Sequence, residues 1–526
     1  MTDELVHLTI DGAAVSVPKG TLVIEAAKQA GVLVPHYCYH PGLPVAGVCR
    51  MCLVEIEKTP KLQIACNTQV TDGMVVHTQS AQAKAGRTGV LELLLINHPL
   101  DCPICDQAGE CELQDFTFQE GRPASRFSPE FAKRFNPVED FGPDVLYVPN
   151  RCILCTRCVR FMEDVAKEPV LNVSERGDRA FIGIHPDARL DHPWGGNVVD
   201  LCPVGSLLSK DFLHKARAWE LDKTASVCTG CSQGCNVTLD ARQSVVVRVR
   251  PRPNLAVNRY FMCDHGRMHY RWMNRGDRVE APLVRAPDGG HRAVGWDEAL
   301  ERAAGILRGA AGRAVALVSP GASTEALFLA RELLNRFEWR GAFQVVMGDE
   351  APLAGVPNLA LRAERAPNVR GAELLGYTRD YAAALEAAER AAVVLVLDEP
   401  RIALRTAGAL LYLGTVLPDD ADPSLRAAEV VLPTANVAEE EGTFVNRDGR
   451  VQRYAPAKPA PGMAQPAWWV LSELVALLAG GEAAPDSASD AFDRMARTVD
   501  AFQGLSYARL GFGGEVASRD GARVPA

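Results

Sequence analysis

The sequence predicts an α+β first half followed by an α/β second half. Residues 5–10 and 14–18 alternate apolar and polar side chains, which is typical of a β-hairpin that packs on one face. All 15 cysteines of the 526-residue chain lie between Cys38 and Cys263. After about residue 275, Ala-rich helical segments alternate with short β-branched runs, which favours a parallel sheet covered by helices.

The predicted hairpin opens a small β-grasp domain of the ferredoxin-like kind. Asp11 and Gly12 form its turn, and the segment TLVIEAAKQAG after the second strand has helical spacing. A further helix is predicted for residues 84–96. This helix ends before Pro99, because proline disfavours a helical conformation at the residue in front of it.

The second half is predicted to contain a parallel sheet with helices on both faces. Its strands are expected in the runs AVALVS, AFQVVM, AVVLVLD and ALLYLG, at residues 314–319, 342–347, 392–398 and 409–414. Residues 117–150, 456–466 and 480–488 lack clear periodicity or are rich in Ala, Gly and Pro, so we interpret them as connecting segments.

Composition and charge exclude several classes of function. The net charge is -9 and no long block of Lys or Arg occurs, so nucleic-acid binding is not expected. The longest apolar runs are too short to cross a bilayer, and the acidic start of the chain is unlike a signal peptide. We therefore expect a cytoplasmic protein, and any association with a membrane is expected to be peripheral.

The first candidate ligand set lies in a glycine-containing loop, HYCYHPGLPVAGVCRMCLVEIE, and ends with one distant cysteine. Its members are Cys38, Cys49, Cys52 and Cys66. A cysteine-rich loop followed by a remote fourth cysteine is how plant-type 2Fe-2S clusters are bound, although the first gap is longer here than in the plant-type spacing. The pattern predicts a 2Fe-2S cluster.

The second set combines one histidine with three cysteines in NHPLDCPICDQAGECELQD. Its members are His98, Cys102, Cys105 and Cys111. Local spacing alone fits an iron-sulfur cluster, a zinc site with three cysteines and one histidine, or a histidine that ligates nothing. The presence of the other sets favours a cluster.

The third set begins with the motif RCILCTRCVRF and is completed by a remote cysteine in DLCPVGSLL. Its members are Cys152, Cys155, Cys158 and Cys202. The C-x2-C-x2-C spacing is typical of the start of a bacterial ferredoxin motif, in which the next cysteine ligates a second cluster. Met162 occupies that position here, so the set is predicted to hold a single 4Fe-4S cluster.

The fourth set follows the same plan, with three cysteines in VCTGCSQGCNV and a fourth in FMCDHGR. Its members are Cys228, Cys231, Cys235 and Cys263. Zinc sites usually take their ligands as two separated pairs, whereas three ligands in one loop favour a cluster. A third 4Fe-4S cluster is predicted.

Together the four sets use every cysteine and His98, which makes packing of isolated buried cysteines a poor explanation of the pattern. Arg151, Arg157 and Arg160 flank the third set. One expectation is that they stabilise a reduced cluster or meet an acidic partner. The alternative is that they are ordinary solvated surface residues.

Four segments resemble the signature segments of one family, the large iron-sulfur subunit (G subunit) of bacterial NADH:quinone oxidoreductase, which is respiratory complex I. They are CYHPGLPVAGVCRMCLVEIE, NHPLDCPICDQAGECELQD, NRCILCTRCVRF and VVDLCPVGSL, within about residues 5–215. The resemblance implies a 2Fe-2S cluster on the first set, a His-ligated 4Fe-4S cluster on the second and a 4Fe-4S cluster on the third.

Two further segments resemble molybdopterin oxidoreductases. The fourth set is similar to the N-terminal cluster domain of that family, and EVVLPTANVAEEEGTFVNRDGRVQ at 429–452 is similar to a later segment. The second half is shorter than an enzyme of that class and has no cysteine after Cys263. The resemblance thus implies a degenerate scaffold without a molybdenum cofactor, and a fourth cluster off the main electron path.

The chain is accordingly divided into five predicted domains. They are a β-grasp 2Fe-2S ferredoxin-like domain at 1–83, a 4Fe-4S domain with one histidine and three cysteine ligands at 84–145, a ferredoxin-like 4Fe-4S domain at 146–220, a 4Fe-4S domain of molybdopterin-oxidoreductase type at 221–277 and a truncated molybdopterin-oxidoreductase-like α/β domain at 278–526.

The resemblance implies an electron-transfer subunit of an oxidoreductase, with no substrate site of its own. Electrons would pass from a flavin-containing, NADH-oxidising subunit toward quinone. The expected partners are that subunit, a 2Fe-2S subunit and a 4Fe-4S connecting subunit. The alternatives are the iron-sulfur subunit of an NAD-linked formate dehydrogenase or of a hydrogenase diaphorase module, and a zinc-stabilised interaction protein.

Overall fold

The computed structural model describes residues 4–128, 133, 135–399, 404–406, 408–417, 427–479 and 484–518. It contains two compact units. Unit 1 comprises Met1–Leu221 together with Leu353–Pro357, and unit 2 comprises Asp222–Pro352 and Asn358–Ala526. The two units are described separately.

Unit 1 begins with a five-stranded sheet that packs on one helix. Its elements are β1 (Leu5–Ile10), β2 (Ala13–Pro18), α1 (Val23–Gln29), β3 (Leu53–Ile56), β4 (Gln63–Ile64) and β5 (Met74–His77). The strand order is β2-β1-β5-β3-β4, with β1 and β5 parallel. Asp11 and Gly12 have φ angles of 47° and 86°, as a two-residue hairpin turn requires. The predicted hairpin and β-grasp fold are confirmed.

The rest of unit 1 consists of short elements that support the cysteine loops. They are α2 (Ala81–Leu95), α3 (Glu112–Glu120), β6 (Glu139–Asp140), β7 (Val145–Tyr147), α4 (Arg157–Arg160), β8 (Leu171–Ser174), β9 (Phe181–Ile184), α5 (Asn197–Leu201) and β10 (Leu207–Ser209). Strand β7 pairs with both β6 and β10. A turn of π-helix, Phe161–Ala166, continues α4.

The prediction of a connecting segment at 117–150 is wrong in part. The end of α3 and strands β6 and β7 lie within it. These elements are short and are held by contacts that are distant in sequence, such as the pairing of Tyr147 with Leu207, so they leave no local period. Residues 129–132 and 134 of this segment lie outside the described residues.

The segment Leu353–Pro357 also belongs to unit 1. The backbone N–H of Gly355 donates a hydrogen bond to the carbonyl oxygen of Val165 at 2.7 Å. A Cβ atom on Gly355 would lie 2.6 Å from the carbonyl oxygen of Asp164. Only a residue without a side chain fits this close approach of two backbones.

Unit 2 starts with a small antiparallel sheet and continues into a larger mixed one. The small sheet consists of β11 (Asp222–Val227), β12 (Asn236–Arg242) and β13 (Val245–Pro251). The larger sheet consists of β14 (Leu283–Arg285), β15 (His291–Ala293), β16 (Arg313–Val318), β17 (Glu338–Phe343), β20 (Val393–Leu397), β21 (Ala409–Gly414) and β22 (Val430–Pro433), with two short strands, β18 (Ala351–Pro352) and β19 (Ala360–Leu361), paired outside it.

The larger sheet has the strand order β15-β14-β22-β21-β20-β16-β17, and the last five strands are parallel. Side chains from one face pack in a core that includes Ala316, whereas Val315 and Leu317 pack in a second core on the other face. The predicted parallel sheet, buried on both faces, is confirmed.

The remaining elements of unit 2 are mostly helices that cover this sheet. They are α6 (Asp264–Met268), α7 (Trp296–Gly309), α8 (Thr324–Leu334), α9 (Val369–Leu374), α10 (Tyr381–Ala388), β23 (Gly442–Val445), β24 (Arg450–Tyr454), α11 (Ala467–Ala479), α12 (Ala488–Thr498), α13 (Tyr507–Leu510) and β25 (Glu515–Val516). No helix in the described ranges is long and apolar enough to span a membrane.

One predicted strand of unit 2 is displaced. The run 342–347 was expected to form a strand, but β17 occupies Glu338–Phe343. This edge strand begins with polar residues that solvent can reach, so its sequence lacks the apolar signal of the inner strands. Residues 456–466 lack helix or regular strand, as predicted, and part of the predicted connecting segment at 480–488, residues 480–483, lies outside the described residues.

Candidate metal centres

The first set surrounds the loop between α1 and β3, with its fourth member after β4. Cys38, Cys52 and Cys66 are buried and Cys49 is half-buried. The backbone N–H of Cys38 donates to Cys49 Sγ at 3.5 Å. Hydrogen bonds from the side chains of Cys49 and Cys66 lower the pKa of Cys38, so the structure brings these thiols together. The Cys66 side chain likewise lowers the pKa of Cys52, so these two thiols also lie close together.

The second set lies where α2 ends and α3 begins. Cys105 is buried, Cys111 is half-buried at the start of α3, and Cys102 is exposed. Burial raises the pKa of Cys111 to about 11, with smaller contributions from the neighbouring thiols of Cys105 and Cys102. These contributions show that the three cysteines lie close to one another.

His98, the fourth candidate of the second set, has a buried nitrogen atom, Nδ1, without a hydrogen-bond partner among the described residues. Burial lowers the pKa of His98 to about 4, so the imidazole is neutral near pH 7. A neutral ring with a free nitrogen is the form in which histidine binds metals. No hydrogen bond joins the described His98 side chain to the three thiols.

The third set lines a single small cavity. All four cysteines contribute to its wall, together with Tyr147 and Ser206. Leu154 and Thr156 have φ angles of 53° and 60°, so the loop turns on either side of Cys155 through left-handed conformations that non-glycine residues rarely adopt. The cavity wall and this turn fit a bound group that is enclosed by the loop.

Tyr147 and Ser206 add hydroxyl groups to the third set. Burial raises the pKa of the Cys152 thiol to about 11, and the nearby hydroxyl groups of Tyr147 and Ser206 oppose this rise. The Tyr147 oxygen accepts from the backbone N–H of Ile182 at 3.1 Å, which leaves its own hydrogen free to donate to sulfur. Ser206 donates its hydrogen to the carbonyl oxygen of Val148 at 3.0 Å. The cysteine spacing gave no signal for either residue.

The fourth set lies in unit 2, in the loop between β11 and β12 and at the start of α6. All four of its cysteines are buried. Backbone N–H groups of Gly230 and Gly266 each donate to a sulfur atom at 3.4 Å, to Cys228 and Cys263 respectively. A Cβ atom on Gly266 would lie 2.8 Å from Cys228 Sγ, so the sulfur atoms approach this backbone as closely as glycine allows.

Three ligand sets of unit 1 share one hydrophobic core. Its buried members include residues from the first and third sets and the helices between them: Tyr37, Cys38, Met51, Leu91, Leu113, Phe116, Cys155 and Val204. Cys49, Cys111 and Cys202 pack against the same core. The second set also approaches the third, because a Cβ atom on Gly205 would lie 2.1 Å from Cys105 Sγ.

The three arginines near the third set are buried, with 4% to 9% of their surface exposed, so the alternative of solvated surface residues is wrong. Arg151 pairs with Asp101, which precedes Cys102. Arg157 pairs with Glu112, which follows Cys111, and donates to the carbonyl oxygen of Tyr39 at 2.8 Å. Arg151 and Arg157 therefore each connect the loops of different sets.

The donor groups fit iron-sulfur clusters in kind, and every cysteine among them except the exposed Cys102 is buried or half-buried. Among the described residues, no group of three or more His, Cys, Asp or Glu side chains is arranged to hold a single metal ion. The sulfur atoms instead surround a cavity in the third set and lie against glycine backbone in the fourth. The assignment of all sixteen ligands remains a prediction.

Family models match five parts of the chain. Their descriptions are a 2Fe-2S iron-sulfur cluster binding domain at residues 3–81, the NADH-ubiquinone oxidoreductase-G iron-sulfur binding region at 87–126, the ferredoxin-like domain of NADH-quinone oxidoreductase subunit 3 at 142–208, the molybdopterin oxidoreductase Fe4S4 domain at 221–275 and molybdopterin oxidoreductase at 420–477. Each ligand set falls within one of the first four matches. The fold class predicted for both halves is thus confirmed.

Curated relatives match the chain at about 40% identity. The NADH-quinone oxidoreductase G subunit of Rickettsia felis is 40% identical over 333 residues, which are 63% of this chain and 49% of that protein. The mitochondrial 78 kDa subunits of NADH-ubiquinone oxidoreductase from Candida albicans and Neurospora crassa are 42% and 46% identical, over 63% and 56% of this chain and 46% and 39% of theirs. The chain spans about half the length of these relatives.

A solved structure, that of an NAD+-reducing [NiFe]-hydrogenase in the H2-reduced state, is 31% identical over 40% of this chain and 90% of the matched chain. Its TM-score of 0.37 is too low to establish a common arrangement. The identity to the curated relatives and the family matches agree with the resemblance found in the cysteine motifs. This chain is a homologue of the G subunit of NADH-quinone oxidoreductase.

Proposed function

We propose that the chain binds one 2Fe-2S cluster and three 4Fe-4S clusters. The first set holds the 2Fe-2S cluster, and the second, third and fourth sets each hold a 4Fe-4S cluster. The matches to a 2Fe-2S binding domain and to an Fe4S4 domain support this division. The observation that carries the proposal is the single core shared by three ligand sets of unit 1.

The proposed role is electron transfer within an NADH:quinone oxidoreductase. When bound, the clusters accept and release single electrons. The chain would receive electrons from a flavin-containing, NADH-oxidising subunit and pass them toward quinone, next to a 2Fe-2S subunit and a 4Fe-4S connecting subunit. This assembly would lie on the cytoplasmic side of the inner membrane. The names of the relatives support the role, and no substrate site is proposed in this chain.

The protein contributes enclosure, orientation and charge. The buried core around the first and third sets excludes water, so the surroundings reorganise little when a charge changes. Arg151 and Arg157 bring positive charge to the loops between sets, and their carboxylate partners fix the orientation of each guanidinium. The fourth set lies in the other unit, and its cluster is proposed to be off the main path.

Metal and sulfide analysis of anaerobically purified protein tests the proposal. We expect about 14 iron atoms per chain, from one two-iron and three four-iron clusters, with equivalent acid-labile sulfide and EPR signals on reduction. Cys228→Ser should remove one 4Fe-4S signal and leave the others. A protein that contains zinc and no sulfide would contradict the proposal and favour a zinc-stabilised interaction protein.

Co-purification distinguishes the proposed complex from the alternatives. A tagged chain should be recovered with an assembly that reduces quinone with NADH, and the isolated chain should not oxidise NADH. Recovery with a formate-oxidising or hydrogen-oxidising enzyme would instead support one of the alternative complexes.

A further inference from the structure

Arg160 lies between the first and third ligand sets of unit 1, and 9% of its surface is exposed. Its Nη2 atom donates to the carbonyl oxygen of Cys38 at 2.5 Å and to that of Cys155 at 3.3 Å. Its Nη1 atom donates to the carbonyl oxygen of Pro44, and Nε donates to Thr156 Oγ1 at 3.3 Å. One guanidinium therefore contacts the backbone of a ligand from each set.

Arg160 differs from the two other buried arginines near the third set. Arg151 pairs with Asp101 at 2.9 Å and Arg157 with Glu112 at 3.0 Å. Within the described part of the chain, Arg160 forms no salt bridge. Burial of an unpaired charge is unfavourable, and carbonyl dipoles offset only part of that cost.

The two ligand sets supply the missing negative charge. The Arg160 side chain contacts the backbone carbonyl groups of Cys38 and Cys155, so a ligand residue of each set lies next to its positive charge. With four thiolate ligands, each cluster of the proposed function carries a net negative charge. A one-electron reduction adds one further negative charge without breaking a bond, so the need for a nearby cation increases when either set is reduced.

We propose that Arg160 is a positioning residue that acts as a shared counter-cation for the first and third ligand sets. The inference rests on the proposed function, because it requires a cluster at both sets. Arg160 stabilises the reduced form at either set and so raises both midpoint potentials. An electron that moves between the two sets stays close to the same positive charge.

EPR-monitored redox titration of the full chain, with dithionite as reductant and soluble mediators, tests this inference. Arg160→Gln removes the charge and keeps a hydrogen-bonding side chain, so both midpoint potentials should fall. Arg160→Lys keeps the charge on one nitrogen, which approaches one set more closely than the other. The sum of the two midpoint-potential shifts should be smaller in Arg160→Lys than in Arg160→Gln. The difference between the two midpoint potentials should also change.

Arg50→Gln is the matched control. Arg50 stands between the first-set ligands Cys49 and Cys52, but it is exposed, so solvent screens its charge. Its removal should move the first midpoint less than Arg160→Gln does. Shifts in Arg160→Gln no larger than in Arg50→Gln, with both clusters present, would overturn the inference.

If Arg160→Gln does not retain the clusters, the redox titration of Arg160→Lys decides the question. A midpoint separation equal to that of the parent would then count against a shared counter-cation, and an altered separation would support it. The parent protein separates this inference from the proposed function. Absence of either EPR signal in the parent contradicts the function, whereas two signals with no charge-dependent shift contradict only the role of Arg160.

Discussion

At the scale of single residues, the third ligand set depends on a hydroxyl group that lies outside every cysteine motif. Tyr147 is fully buried, and its oxygen accepts one backbone hydrogen bond, so its orientation is fixed toward Cys152. Hydrogen bonds to the sulfur atoms of a cluster stabilise the reduced form, which carries more negative charge. If the third set holds a cluster as proposed, Tyr147 would therefore influence its potential in addition to the four ligands.

Tyr147→Phe should lower the midpoint potential of the third set. The lost hydrogen bond is worth about 1 kcal/mol, and that energy corresponds to about 40 mV for one electron. Redox titration followed by EPR measures the shift. The control is Tyr377→Phe, which removes a buried hydroxyl bonded to the carbonyl oxygen of Leu327 and not to a thiol. An unchanged third-set potential in Tyr147→Phe would contradict this role.

His98→Cys should leave four clusters in place and lower the potential of the second one. A thiolate replaces a neutral imidazole, so the cluster gains one negative charge and its reduction becomes less favourable, by on the order of 100 mV. EPR during redox titration detects the change. His40→Cys is a suitable control because His40 is also partly buried but lies outside the sixteen proposed ligands. A second-set signal at the parental potential would argue against ligation by His98.

At the scale of elements, the sequence predicts what is local. The turn at Asp11 and Gly12 was readable because two successive left-handed residues require such a pair. Inner strands such as β20 were readable because they are apolar throughout. The sequence misplaces strand β17, because an edge strand is partly polar. It also misses α3, because a short helix next to a cysteine loop is held by distant contacts.

The candidate metal centres show the same difference between local features, which the sequence predicts, and distant contacts, which it does not. Spacing alone grouped the cysteines, since ligands of one cluster must reach a common centre. Burial of Arg157 and the position of Tyr147 depend on contacts across 118 and 35 residues of chain, respectively, and spacing cannot reveal such contacts. The four thiol groupings can be proposed from spacing alone and stay predictions, whereas a description of their surroundings required the structure.

Helix α8 and strand β23 are joined through a buried carboxylate. Glu325 accepts hydrogen bonds from the backbone N–H and the hydroxyl of Thr443 and from Tyr507, and burial raises the pKa of Glu325 to about 7. Burial also raises the pKa of Glu440 to about 8. Both values exceed those of the unfolded chain, so the folded state binds these protons more tightly.

Unit 2 should therefore lose stability as the pH rises from about 5.5 to about 8. The contribution of a raised pKa is fully present below the unfolded value of about 4.3 and disappears as the pH passes the folded value. Urea unfolding at the two pH values should show that Glu440→Gln reduces this loss by roughly 3 kcal/mol. Glu338→Gln, at an exposed position, should leave the loss unchanged. If Glu440→Gln and the parent lose the same free energy of unfolding between the two pH values, the raised pKa of Glu440 is contradicted.

At the scale of the whole molecule, the ligand sets divide between two units. Three sets lie in unit 1 and the fourth lies in unit 2. Unit 1 is not continuous in sequence, because it includes Leu353–Pro357. The contact of Gly355 with Val165 attaches that segment to the helical turn that follows the third set. Integrity of the third set should therefore depend on a residue far along the chain.

Gly355→Ala should destabilise unit 1 by roughly 1 to 3 kcal/mol, because the added methyl group meets backbone atoms that cannot move aside easily. Thermal unfolding followed by loss of the third-set EPR signal measures the effect. Gly276→Ala is the control, since a Cβ atom at that position meets nothing within 4 Å. Equal melting temperatures for the two variants would show that the close approach of the Gly355 and Asp164 backbones does not contribute to the stability of unit 1.

The distant segment also sets the order in which the protein can be completed. A ribosome that has made residues 1–221 has not yet made Leu353–Pro357, so the first unit cannot be complete before synthesis has reached Pro357. A gene divided after codon 221 would encode two polypeptides, and the first would lack a part of the unit that encloses three ligand sets.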